Sequence, residues 1–467
     1  MSSTKERVLF CHGAMAGDIR LFGELLLKRL QFHFCSLCNL RRELRSTEIF
    51  NGGGKGMTVF RSKSRTLSLQ SPNRLAMERS VPWSELQPEL WSMIGKKLDT
   101  DMDVVRFRSV CSSWRSSIPP VSELDLRIGG DPIYQRRVYL LEPPPPTSPE
   151  DDSRCPPSRE GWLIKIAEDD EDDHLSGRGG RVRLFNPLSS RPILFKGGTF
   201  PKVLCTLDYR VTEIFVERYL IDEIGGSCYG EARKVIMLPD SPWAVLEEAL
   251  VVGIFWKGGL VCWKHGDEDW YAMGDSSCQY DDLIAYKGQF YVVDRFGIVS
   301  WIDPSFKIVQ FSPPVCGDGN GGDRNYLVES GGDLYVVGRY FDEECPFSRV
   351  RAGTVREAAD FKVYRLNQEW GKWDEIRNLG DVALFLGDHS CFSVSVKGFG
   401  GCKGNCIYFT EFDGTREGKV QVFDMEDRSV KRASYSPDRL RILWPPPAWI
   451  APNGVALSPY SLKEPLF

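Results

Sequence analysis

The sequence predicts a multidomain fold, a small all-α helical module followed by a large all-β domain read as a β-propeller. Three observations carry the prediction. Residues 81–118 place apolar side chains at helical spacing, with a proline at one first turn and a proline pair at the end. From about residue 121 that periodicity gives way to short apolar strands divided by turn residues. Two strand pairs are self-similar: "YKGQFYVVDRFG" and "ESGGDLYVVGRYF" each set a Gly turn before an aromatic and two valines. Gly288 and Gly332 stand 44 residues apart, close to the period of one four-stranded propeller blade.

Composition bounds the function. A chain of 467 residues with 42% hydrophobic and 12% aromatic residues has room for a repeat array and a small appendage. The 44 glycines and 29 prolines suit many short strands joined by turns. A net charge of −5 gives no overall drive toward nucleic acid or anionic membranes. No run of about 18 apolar residues predicts a membrane-spanning helix. The start, "MSSTKERVLFCHGAMAGD", lacks the apolar centre of a secretory signal. The fourteen cysteines therefore read as reduced thiols, many of them small core residues, which places the chain in the nucleus and/or cytoplasm.

Each segment then follows in order. Residues 1–78 read as a basic, flexible extension: over residues 1–80, Lys and Arg outnumber Asp and Glu by 14 to 6. Met77 is a plausible alternative start. Residues 81–120 form the helical module. Pro88 suits a first turn, and Leu90, Ile94 and Leu98 follow at i, i+4 and i+8. "DTDMD" supplies caps and negative charge for the next helix, which is expected to run from about 104 to 118 and stop at Pro119 and Pro120. At 100° per residue, Phe107, Val110, Cys111, Trp114 and Ile118 share one apolar stripe of that helix. Arg106, Arg108 and Arg115 flank the stripe, their stems covering its rim, which is not the polar, basic face of a DNA-reading helix.

Residues 121–180 read as a partly acidic, proline-rich connecting region, with "LLEPPPPTSPEDDSRCPPSREG" and "AEDDEDDHLSGRGG" as exposed loops. The β-propeller-like domain is expected over 155–440 and a C-terminal tail over 441–467. The chemistry-bearing candidates are weak. His33, Cys35 and Cys38 lack a fourth zinc ligand nearby, with Cys402 and Cys406 far along the chain. The glycine-rich "NGGGKG" and "SGRGG" lack the ending of a phosphate-binding loop. Asp388, His389, Ser390 and Cys391 adjoin in sequence, but neighbours on a strand point to opposite faces. No catalytic residue, metal or cofactor is expected.

The stretch "WSELQPELWSMIGKKLDTDMDVVRFRSVCSSWRSS" resembles an F-box, the helical module that docks on the Skp adaptor of SCF-type ubiquitin ligases. Its Val-Cys-x-x-Trp-Arg ending is the most specific part. The family often has proline directly after the leucine matched by Leu86; this chain has Gln87 there and Pro88 one place on. The pieces "GWLIKI", "RLFNPLSSRPI", "VCWKHGDEDWYAM", "DLIAYKGQFYVVDRFGIVSWID" and "LGDHSCFSVSV" resemble the kelch-like, β-propeller domain that follows the F-box in many plant F-box proteins. The resemblance implies adaptor binding through Trp83, Leu86, Pro88, Leu90, Ile94, Leu98, Val105, Phe107, Val110, Cys111 and Trp114. Cullin and RING subunits would be recruited through the adaptor. The β domain would hold an unidentified target protein, and some members of the family bind protein kinases. The implied role is the substrate-recognition subunit of an SCF-type ligase, without chemistry of its own. Two other classes stand beside it: an interaction scaffold that joins no ligase, and a propeller enzyme or carbohydrate binder with an unrelated helical cap.

Overall fold

The computed structural model describes residues 9–11, 86–121, 126–142, 161–169, 181–189, 203–205, 209–220, 232–255, 258–274, 278–315, 322–341, 358–367, 371–387, 389–397, 402–411, 419–432 and 441–443. The chain divides into two compact units. One contains the described residues 86–97 and 106–119; the other contains 98–105 and everything described from 120 onward, together with 9–11.

In the helical unit, α1 spans Pro88–Gly95, with its proline at the first turn as the sequence predicts. The expected single helix over 104–118 is two helices, α2 over Asp101–Ser109 and α3 over Ser112–Ser117. The break falls at Cys111, whose backbone is extended (φ −162°, ψ 176°). The cause is local. Ser109, Val110, Cys111, Ser112 and Ser113 form a run of poor helix formers, so the turn gains little by continuing. Rotating the chain at Cys111 brings Phe107 and Trp114 together. Their rings lie 4.6 Å apart, and Trp91 of α1 lies 3.9 Å from Trp114 with the ring planes tilted by 39° and meets Phe107 edge-on at 6.0 Å. Gly95 completes the packing, since any side chain there would overlap Ile118.

The described residues of the larger unit are all β apart from residues 98–105, short 3₁₀ turns and the connecting loops. Strands β1 (Leu9–Cys11) and β6 (Val203–Cys205) form a small parallel pair. β2 (Arg127–Ile128), β3 (Asp131–Glu142), β4 (Trp162–Asp169), β5 (Arg181–Phe185) and β7 (Arg210–Leu220) form the first blade, in the order β7-β3-β4-β5 with β2 beside β3. The segment expected as a connector thus carries strands: "IYQRRVYLL" pairs with β7 on one side and with "WLIKIA" on the other. β8 (Ala232–Leu238), β9 (Leu250–Phe255), β10 (Leu260–Lys264) and β11 (Tyr271–Met273) make the second blade. It joins the first at a single residue pair, Arg218 opposite Val235.

The third blade is β12 (Tyr280–Tyr286), β13 (Gln289–Asp294), β14 (Val299–Ile302) and β15 (Ile308–Gln310). The fourth is β16 (Arg324–Ser330), β17 (Asp333–Phe341), β18 (Ala358–Asn367) and β19 (Lys372–Ile376). The repeated glycines occupy equivalent hairpins. Lys287–Gly288 (φ 50° and 75°) joins β12 to β13, and Gly331–Gly332 (φ 60° and 86°) joins β16 to β17. Both central residues have positive φ, which is why a glycine recurs there. The Tyr286 hydroxyl donates to the Gly332 carbonyl at 2.8 Å, tying one hairpin to the next.

The fifth blade differs. β20 (Val382–Leu386), β21 (Cys391–Ser395), β22 (Cys406–Glu411), β23 (Lys419–Asp424) and β24 (Ser429–Arg432) lie in the order β21-β20-β22-β23-β24, with β20 and β22 parallel. The innermost strands close into a ring of five. Lys234 of β8 pairs with Asp282 of β12; Asp282 accepts the Leu327 amide of β16; Ser393 of β21 donates to Glu329 of β16; and the Phe392 ring of β21 stacks on Phe215 of β7.

Between the fifth and first blades, side chains make the closure. Phe385, Phe392 and Tyr408 stack at 5.1 and 4.9 Å within a core that includes Val138, Leu140 and Leu163 of the first blade. Ile442 and Leu443 are buried in the same core. Part of the segment expected as a tail from 441 onward is therefore built into the propeller. Two apolar residues on a 3₁₀ turn (Arg441–Leu443) are too short a signal to read as a core element from sequence.

Candidate docking surfaces

The break at Cys111 leaves the last carbonyls of α2 and α3 without helical partners. Arg108 and Arg115 satisfy them. The Arg108 guanidinium donates to the Arg115 carbonyl at 2.8 Å and to that of Ile118, and the Arg115 Nε donates back to the Arg108 carbonyl at 3.1 Å. The expectation that these arginines merely cover an apolar rim is corrected: they stitch the two helices across the break. Five donors in a planar fork suit this task, and a lysine would not reproduce it.

The predicted adaptor-binding residues separate into three groups by exposure. Leu98, Phe107 and Trp114 are buried; Leu86, Ile94, Val105 and Val110 are half-buried; Pro88, Leu90 and Cys111 are exposed. Trp83 lies outside the described residues. Cys111 does not belong to a shared apolar stripe with Phe107 and Trp114, because the chain leaves the helix at that residue. Leu98 does not extend the α1 face, because α1 ends at Gly95. The buried face of α1 is Trp91 and Gly95, and its exposed face carries Leu90 (42% exposed) and Met93 (66% exposed). The sequence reading did not single out Trp91 or Met93. A Trp and a Gly at i, i+4 would have marked the packed side, leaving Leu90 and Met93 on the open side.

Described residues of the β domain line a groove and a smaller cleft. A shallow groove of about 710 Å³ lies beside Arg377, Gly380, Asp381, Asn405, Met425 and Arg428. Its walls are fixed. The Leu379 amide donates to the Asn405 side chain at 2.8 Å, and Arg428 reaches Asp360 and the Phe361 carbonyl. A smaller, charged cleft lies beside Asp101, Arg137, Glu213, Arg218 and Asp240.

The would-be catalytic cluster is structural. His389 is half-buried, and Asp388 lies outside the described residues. Ser390 is buried and donates to the Pro187 carbonyl at 3.2 Å, with Lys165 Nζ 3.5 Å away. Lys165 is held by Glu217 at 2.6 Å, and Glu217 also binds Arg136 at 2.8 Å. Burial alone would raise the Glu217 carboxyl, but Lys165, His389 and Arg136 hold it below the usual range. The Arg136 guanidinium lies over the rings of Tyr219 and Phe185. Cys391 is pushed up to about 12 by burial, with Asp282 adding to the effect, so its thiol stays protonated. Burial likewise raises Cys402 to about 12 and Cys406 to about 11. His33, Cys35 and Cys38 lie outside the described residues. Among the described residues, no group of three or more His, Cys, Asp or Glu side chains is arranged for a metal. No described helix is long and apolar enough to cross a membrane.

The sequence profile of the family described as KIB1-4 beta-propeller matches residues 131–424, well over half the chain. The chain belongs to this family of plant F-box proteins. Its match begins at β3 and ends with β23, so the KIB1-4 propeller spans all five blades. The F-box protein SKIP23 of Arabidopsis thaliana is 29% identical over 421 residues, covering 80% of this chain and 97% of that protein. The putative F-box protein At1g65770 of the same plant is 31% identical over 368 residues, covering 74% and 92%. The F-box protein At2g17036 is 26% identical over 418 residues, covering 82% and 98%.

Proposed function

We propose that this F-box protein is the substrate-recognition subunit of an SCF-type ubiquitin ligase, acting in the nucleus and/or cytoplasm. The helical unit would dock on the Skp adaptor, and through it on the cullin and RING subunits. The propeller would hold a target protein, a kinase being the class its family suggests. The subunit performs no bond chemistry. It raises the effective concentration of target and ubiquitin-loaded enzyme by holding both.

The observation that carries this reading is the α1 face. Leu90 and Met93 are large, apolar and exposed, while Trp91 beside them is locked in an aromatic cluster. A rigid helix presenting two apolar anchors suits a groove in a partner protein. Burying two such side chains contributes about 1.5–3 kcal/mol each. Co-purification of the full chain with the Skp adaptor tests the reading. Leu90→Asp with Met93→Asp should weaken adaptor binding by at least about tenfold with an unchanged melting profile, since both sites are exposed. Undiminished adaptor binding in that double variant would count against docking through the α1 face, and no binding by the native chain would count against the ligase role. The second outcome would favour a scaffold that joins no ligase.

A further inference from the structure

The charged cleft of the β unit holds an unusual arrangement of carboxylates. Asp101, in the first turn of α2, pairs with Arg137 of β3 at 2.6 Å. The other side of the same guanidinium faces Glu213 of β7, at 3.4 Å from each carboxyl oxygen. That is long for a charge-assisted contact, which normally closes to about 2.7–2.9 Å. Arg137 also donates to the Gln135 side chain at 3.2 Å. The second guanidinium of the cleft, Arg218, is taken by Asp240 at 2.7 Å. Glu213 is therefore buried, with its side chain 6% exposed, and shares one cation with Asp101.

Beneath this cluster, residues 98–105 are seated on the blade by apolar contacts. Met102 is buried among Tyr139, Leu141, Ile164 and Val211. The polar ladder Asp101–Arg137–Glu213 joins the same segment to β3 and β7. We propose that Glu213, Arg137 and Asp101 form a proton-controlled latch: protonated Glu213 leaves Arg137 to Asp101 and holds residues 98–105 against β3 and β7, and ionised Glu213 loosens them.

The groups facing Glu213 set the direction. Asp101 and Asp103 come from α2, and Asp99 lines the cleft just before it; Arg137 and Tyr139 come from β3; Arg218 lies on β7; and Asp240 follows β8. Burial pushes the Glu213 carboxyl up to about 7; Arg137 opposes this, and Asp101, Asp240 and Asp103 add to it. In the opened segment the carboxyl returns toward its ordinary value near 4.5. The closed state thus binds the proton more tightly. Its advantage is complete below the ordinary value and is lost as pH rises through about 7.

Hydrogen exchange of the full chain, read by mass spectrometry and corrected for the intrinsic pH dependence, tests the latch. The opening constant of residues 98–105 should rise about tenfold between pH 6 and pH 8, while β13 stays unchanged. Glu213→Gln keeps the shape and removes the titration, so its profile should be flat. Asp101→Asn removes a negative neighbour and leaves Arg137 to Glu213, and both effects lower the Glu213 carboxyl, so the rise should move to lower pH. The same rise in Glu213→Gln, a flat native profile, or an upward move in Asp101→Asn would each overturn the proposal.

Discussion

Asp282 shows how one side chain can join three blades. Its Oδ1 accepts the Lys234 ammonium at 2.6 Å and the Leu283 amide at 2.8 Å, and its Oδ2 accepts the Leu327 amide at 2.8 Å. Both charged side chains are about 95% buried. A buried pair of this kind adds little over a well-packed apolar pair, but removing one member strands the other charge. Asp282→Ala should therefore cost about 3–5 kcal/mol in a denaturant titration. Pairing it with Lys234→Met should recover much of that loss, because no charge is then left buried. The neighbouring Asp281 repeats the device at smaller cost: it accepts the Asn325 amide at 2.9 Å and the Asn325 side chain at 3.3 Å. Nothing in the local sequence "YDDLIAY" distinguishes these two aspartates from loop residues. Only the strand position of Asp282, facing Lys234 across the inner ring, gives them this role.

Among the elements, the break between α2 and α3 is the most informative. Apolar spacing finds Phe107, Trp114 and Ile118 as core residues, and all three are buried. The same projection places Cys111 with them, and it is exposed. The two readings differ measurably. Trp114→Ala should cost about 3–5 kcal/mol, since it empties the centre of the Trp91–Phe107–Trp114 cluster. Cys111→Ala should change stability by less than about 0.5 kcal/mol. Thermal or chemical denaturation of the two variants checks both. Projection failed because helical periodicity assumes a continuous helix. A run of Ser, Val and Cys costs the helix only a few tenths of a kcal/mol per residue, which tertiary contacts by two arginines and three aromatic rings outweigh. The hairpins behaved in the opposite way. Gly288 and Gly332 need positive φ for reasons confined to two residues, so their repeat was visible in the sequence.

For the whole molecule, closing the ring is the decisive step. Blades two to four are consecutive meanders, and local hairpins specify them. The first and fifth blades must meet across about 250 residues of sequence, and loop closure opposes that contact until many side chains combine. Here the seal is aromatic stacking, Ser390 bound to Pro187, and the buried Ile442 and Leu443. Replacing both Ile442 and Leu443 by Ala should cost roughly 2–5 kcal/mol for each residue, before any coupling between them. Differential scanning calorimetry should show the loss as a lower melting temperature, and exchange should rise first in β20 to β22. Equal exchange across all blades would mean that the seal does not depend on these two residues.

The sequence by itself determined the order of a helical segment and an all-β domain, the blade-like repeat, the Pro88 helix start and the apolar identity of Phe107 and Trp114. These follow from contacts within about a dozen residues, where periodicity and turn chemistry act. Tertiary structure decided the rest: where α2 breaks, that Arg108 and Arg115 bridge it, that strands occupy part of the expected connector, and that 442–443 belong to the core. It also decided which α1 residues face outward and which carboxylates share Arg137. Most of these depend on a partner distant in the chain, and the Arg108–Arg115 bridge, though only seven residues long, depends on a break that spacing along one segment does not reveal.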